Sequence, residues 1–248
     1  MIHSFLLIGQ SNMAGRGDVS EAVPVNTKHI KTLRNGRWQT MFRPINPDRS
    51  FSGVSLAESF AEAYADKYGV DVGLICCADG GTRLEQWKEG SVLYDNAVFQ
   101  AKLAQRTSTI AGVLWHQGES DCREECFHTY KPRLEETLTA LKRDLNLYDV
   151  PFLLGGLGDF LPDCEKFDYL KNYKSINEQL QAVANEMPMT CFVPANGLTS
   201  NADNLHFNAK SLYEFGLRYF EAFERTRDVN KIFVEKVENG VRSEMEKL

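Results

Sequence analysis

Five short apolar runs punctuate the chain, at residues 5–8, 70–78, 110–116, 151–155 and 190–194. Most are continuous apolar stretches, often with β-branched residues, and few alternate with polar positions. Strands buried on both faces read this way, which is the habit of a parallel sheet covered by helices. Amphipathic stretches lie between and after the runs. Residues 55–68 begin with Ser55 and place Leu56, Phe60, Ala63 and Tyr64 at helical spacing before Gly69 ends the pattern. Residues 92–106 carry Leu93, Ala97, Ala101 and Ala104 on one face. Residues 132–145 start with Pro132 in a first-turn position and repeat Leu134, Leu138 and Leu141. Residues 173–187 and 209–223 complete the set. Strand and helix alternate throughout, which predicts a three-layer α/β/α sandwich around a five-stranded, mainly parallel sheet with right-handed crossovers.

Two segments depart from this alternation. Residues 20–53 hold Pro24, Pro44 and Pro47 among scattered Gly and Asn, which predicts a long loop with a short hairpin around Asn35-Gly36. Long ordered loops in compact domains commonly carry function. From about Arg225 onward the chain is rich in charge, with Ile232, Phe233, Val237 and Val241 interleaved. The expectation is a single domain over 1–225 and a charged helical tail over 226–248, packed by a narrow stripe or used as an oligomer contact.

Composition narrows the class of partner. The 248 residues are 43% hydrophobic and 25% charged, enough apolar material for a sizeable core. The net charge of −6 gains nothing from counterion release on nucleic acid and is repelled by anionic membranes, so neither is an expected partner. No run approaches the ~18 apolar residues of a membrane span. The first residues lack a basic region and read as a buried strand instead of a signal peptide, which gives a cytoplasmic expectation for the chain as it stands. Of the six cysteines, Cys76 and Cys77 lie in an apolar run as small hydrophobes. Cys122, Cys126 and His128 have a metal-like grouping without a matching second half, so reduced structural cysteines and no metal or cofactor are expected.

The polar residues and glycines gather where the predicted strands end, the edge at which parallel sheets build their sites. Ser11 follows the first run in Gly9-Gln10-Ser11-Asn12-Met13-Ala14-Gly15-Arg16-Gly17. By itself it reads more readily as a helix N-cap than as a nucleophile. A hydroxyl becomes a nucleophile when a base takes its proton, and Asp203-Asn204-Leu205-His206 supplies a candidate base with a carboxylate three residues away. Gly80, Gly81 and Gln117 follow the second and third runs and offer amide donors for a developing oxyanion.

These four motifs, with Trp115-His116-Gln117-Gly118-Glu119-Ser120-Asp121 as the third, resemble the SGNH-hydrolase superfamily, and more narrowly its sialate O-acetylesterase-like group that includes carbohydrate esterase family 6. They span residues 9 to 207. The resemblance implies a flavodoxin-like domain and metal-independent removal of acetyl groups from carbohydrates such as xylan or sialic acid. It implies Ser11 as nucleophile, His206 as base and Asp203 as its carboxylate partner, with Glu119 the alternative acid. It implies an oxyanion hole from the Ser11 amide, the Gly80-Gly81 pair and Gln117, the last standing where the wider superfamily has Asn.

Arg16, Arg83 and Trp87 are candidates for the pocket rim, the arginines for polar sugar groups and the tryptophan for stacking. The expected partner is a small molecule or oligosaccharide with O-acetyl groups. The rival readings are a lipid or thioester hydrolase on the same centre, which would need a long apolar groove, and a carbohydrate-binding protein without turnover.

Overall fold

The computed structural model describes the backbone of residues 1–245 and the side chains of residues 1–227. The five apolar runs form β1 (Ile2–Gly9), β4 (Asp71–Cys76), β5 (Thr109–His116), β6 (Phe152–Gly155) and β7 (Thr190–Val193), all parallel. The sheet has seven strands, not the expected five. The hairpin at Asn35-Gly36 is made of β2 (Ile30–Arg34) and β3 (Arg37–Thr40), and β2 pairs in parallel with β4. Asn35 and Gly36 both take positive φ, 49° and 72°, which matches the twist of a tight hairpin turn. Segment 20–53 is therefore only partly a loop.

The strand order is β3-β2-β4-β1-β5-β6-β7. Without the hairpin it reduces to the flavodoxin-like order, in which the chain leaves β1 first toward one side and then toward the other. The switch falls between β4 and β5, with β1 at its centre. Whatever follows β1, β4 and β5 at their C-terminal ends shares one crevice.

Successive strand residues point to opposite faces. Leu6 and Ile8 enter one core, with α3 (Val92–Ala104), α5 (Tyr130–Leu145) and α6 (Tyr173–Glu186). Phe5 and Leu7 enter the other, with α2 (Ala57–Tyr68) and α7 (Ala209–Met245). Two single turns, α1 (Ser11–Ala14) and α4 (Glu124–Phe127), lie at the sheet's C-terminal edge. The α2–α7 contact is close at Gly216, where a Cβ would lie 2.1 Å from the Leu56 carbonyl oxygen.

α7 runs unbroken to Met245. The final helix and the tail are one element, where the sequence pattern suggested two. The stripe and oligomer contact expected over 226–248 lie almost wholly outside the side chains described. No helix among the described residues is long and apolar enough to cross a membrane.

Candidate active site

β1 ends at Gly9, whose φ of 131° and lack of a side chain let the chain pass within 2.0 Å (at the Cβ position) of the His116 carbonyl oxygen on β5. Gln10 donates its amide to that oxygen at 2.9 Å, and the turn α1 starts at Ser11. The N-cap of this turn is Gln10, and no side chain caps it. Ser11 is thus not a cap. Its Oγ lies 2.9 Å from His206 Nε2.

His206 stands just before α7. Its Nδ1 is 2.6 Å from Asp203 Oδ2, while Asp203 Oδ1 accepts the amides of Leu205 and His206 at 3.0 Å each. Burial alone would raise the Asp203 carboxyl, but the His206 ring, these two amides and the imidazole charge outweigh it and hold it down at about 2. A carboxylate ionised so firmly can fix the ring tautomer and stabilise an imidazolium.

Glu119 does not reach His206. Its Oε1 accepts from Asn12 Nδ2 at 2.6 Å and lies 3.0 Å from His116 Nε2. Burial pushes the Glu119 carboxyl up, but the His116 charge and the hydrogen bonds from His116 and Asn12 bring it below its ordinary value. Asn12 turns the other way as well. Its Nδ2 donates to Leu205 O at 3.2 Å and its Oδ1 accepts from Phe207 N at 3.1 Å, so it grips the peptide on both sides of His206.

The candidate oxyanion donors separate. The Gly80 amide is committed to Asp48 Oδ2 at 2.9 Å. The amides of Ser11 and Gly81 have no acceptor among the described residues, and both residues line the same cavity. Gln117 is fully buried and does not line it. Its Nε2 donates inward, to Asp121 Oδ2 at 2.6 Å and Thr82 O at 3.1 Å. Gln117 is therefore corrected from an oxyanion donor to a core brace. The chain turns at Gly118, with φ of 149°, immediately after Gln117.

The sequence matches the family model for carbohydrate esterases, sialic acid-specific acetylesterases, over residues 1–225. The chain belongs to that family. It is a carboxylic ester hydrolase of the carbohydrate esterase class. This esterase is 28% identical to a probable carbohydrate esterase of Arabidopsis thaliana, across 88% of its own chain and 89% of the relative. A solved structure of an Arabidopsis thaliana protein superposes with a TM-score of 0.79 at 27% identity, covering 90% of this chain and 98% of that one. The fold is shared with NanS, at a TM-score of 0.71 and 16% identity over 90% of this chain and 97% of that one. It is also shared with a carbohydrate acetylesterase from Xanthomonas citri, at 0.63 and 16% over 89% of this chain and 55% of that one.

In the esterase the cavity beside Ser11 and His206 has a volume of about 450 Å³. Arg83 lines it, with no ion pair among the described residues. Arg16 reaches it too, but as a strut: the residue is buried and its guanidinium bidentate on Asp48, at 3.0 and 2.7 Å. Trp87 is corrected to core. It is 1% exposed, donates Nε1 to Thr82 Oγ1 at 3.1 Å and packs edge-on against Trp115.

Several lining residues carried no motif signal, among them Arg49, Phe51, Arg123 and Tyr169. The Arg123 guanidinium lies 3.9 Å from the Tyr169 ring centroid. Among the described residues no group of three or more His, Cys, Asp or Glu side chains could hold a metal ion. Cys122 is buried, with its thiol toward Gly118 O at 3.5 Å.

Proposed function

We propose that the esterase removes O-acetyl groups from carbohydrates through a Ser11-His206-Asp203 triad and an acetyl-enzyme. The observation that carries this reading is the unbroken relay of 2.9 Å from Ser11 Oγ to His206 Nε2 and 2.6 Å from His206 Nδ1 to Asp203. As Ser11 Oγ bonds the acetyl carbon, its proton passes to His206 Nε2, and the oxyanion accepts from the Ser11 and Gly81 amides. His206 returns that proton to the sugar oxygen as the ester C–O bond breaks, leaving acetyl-Ser11. Water then attacks, again giving its proton to His206, and acetate departs as Ser11 is restored.

Among acetylated sugars an acidic one fits best. Arg83 and Arg123 both line the cavity and neither has a carboxylate partner among the described residues. A guanidinium presents a planar fork suited to a sugar carboxylate. The lining sets four arginines among Phe51, Phe167, Tyr169, Leu170 and Leu205, and this density of guanidinium groups favours a polar, anionic substrate over an acyl chain.

Acetate release from p-nitrophenyl acetate, acetylated sialic acid and acetylated xylan tests the reading. Ser11→Ala is expected to lose turnover on all three while its circular dichroism stays native. Full activity in Ser11→Ala sinks the triad, and a preference for xylan over sialic acid sinks the acidic-sugar assignment.

A further inference from the structure

The catalytic cavity has a neighbour. A second cavity of about 710 Å³ shares Arg16 and Phe51 with it. Each has the size of a small-ligand site. Phe51 is 69% exposed, on the loop between β3 and α2, and forms wall to both. Its ring stands at the junction of the two cavities with an apolar face available to stack on a ligand. The Arg16 guanidinium, 5.3 Å from the ring centroid, supports it from beneath.

The second cavity is chemically unlike the first. In place of unpaired arginines it offers acceptors. Asp18 spends Oδ1 on Ser20 and keeps Oδ2 without a partner among the described residues. The Glu21 carboxylate has no hydrogen-bond or ion-pair partner among the described residues. Asn201 donates its amide to Arg16 O, which leaves its carbonyl as the outward group. Carboxylates and a carbonyl accept from hydroxyl groups and repel anions.

We propose that this second cavity is a subsite for an uncharged sugar residue, whose pyranose face stacks on Phe51 and whose hydroxyls donate to Asp18, Glu21 and Asn201. The acetylated residue then lies over Ser11 and the glycan continues past Phe51. The esterase reads an oligosaccharide of at least two units, the second neutral. This rests on the carbohydrate esterase reading above.

The test compares acetylated sialic acid with acetylated sialyllactose, and acetylated xylose with acetylated xylotetraose. The readout is the ratio of kcat/KM for the longer substrate over the shorter, which cancels any change in the chemical step. The wild type is expected to favour the longer member of whichever pair it hydrolyses by roughly five- to tenfold, the worth of one aromatic contact. Phe51→Ala and Glu21→Lys should bring the ratio to about one, and Phe51→Tyr should keep it. Equal use of short and long substrates by the wild type, or a ratio untouched by Phe51→Ala, overturns the subsite.

Calorimetry with unacetylated lactose and xylotetraose provides an arm independent of turnover. Binding by Ser11→Ala that Phe51→Ala abolishes supports the subsite even if the catalytic reading fails. No binding of either sugar overturns it even if acetate release is normal.

Discussion

Asn12 and Glu119 are joined by a 2.6 Å hydrogen bond, and through it Glu119 acts on a histidine it never touches. Asn12 holds Leu205 O and Phe207 N, the peptide groups on either side of His206. Glu119 fixes Asn12, and His116 fixes Glu119 from behind at 3.0 Å. Asn12→Ala should lower kcat roughly 10²-fold by loosening the base, with KM little changed. Glu119→Gln retains an acceptor oxygen for Asn12, so kcat should stay within about tenfold of wild type, whereas Asp203→Asn should cost roughly 10²- to 10⁴-fold. A Glu119→Gln loss as deep as that of Asp203→Asn would make Glu119 the triad acid. Steady-state kinetics on p-nitrophenyl acetate decides.

Asp203 also gives the fold a pH signature. Its carboxyl falls from about 3.9 in an unfolded chain to about 2 in the native state, so the unfolded state binds the proton more readily. The stabilisation is complete above about pH 4 and fades as pH falls toward 2. Thermal melts of wild type and Asp203→Asn should differ at pH 5 and converge through that window. The side chain is 47% exposed, so solvent screening keeps the difference small.

Asp48 ties the second loop to the site. Its Oδ2 takes both the Gly80 amide and Arg16 Nη2, and its Oδ1 takes Arg16 Nη1 and Ser52 Oγ. Both members of the ion pair are 5% exposed in the side chain. Asp48→Ala strands a buried guanidinium and should cost about 3–5 kcal/mol, read from the urea midpoint. It also frees the turn that carries Gly81, so kcat should fall in the protein that remains folded.

Lys142 adds a second pH signature at the alkaline end. Its Nζ donates to Pro188 O at 2.6 Å and lies 4.9 Å from the Phe152 ring centroid, with no carboxylate in reach among the described residues. Burial brings its pKa down to about 8. From about pH 8 to 10.4 the unfolded state holds more protons, so stability rises with pH. Lys142→Met should flatten that rise in melts recorded across the window.

The five strands β1 and β4 to β7 were legible because burial leaves nearly continuous apolar runs, with the edge strand β7 only partly buried, and the relay because Ser11 and Asp203-x-x-His206 each carry a tight motif. The hairpin was legible only as its Asn35-Gly36 turn. Its strands, at the sheet margin, mix Lys31, Thr32, Arg37 and Gln39 with apolar residues, and the sequence alone does not show that they join the sheet. Trp87 misled because its polar neighbours suggest a surface, while Thr82 satisfies its indole inside the core. Gln117 misled because its place after the third run does not show that Thr82 and Asp121 draw its amide into the core. Asp48 had no signal, since its partners are 32 residues away in both directions.

The hydroxyl of Ser11 and the imidazole of His206 come from positions 195 residues apart. During synthesis the serine leaves the ribosome well before the histidine that the proposed mechanism gives it as a base. Until then the serine is an ordinary alcohol. In the proposed mechanism a nascent chain that has not yet emerged as far as His206 lacks its base, so turnover itself reports the finished fold.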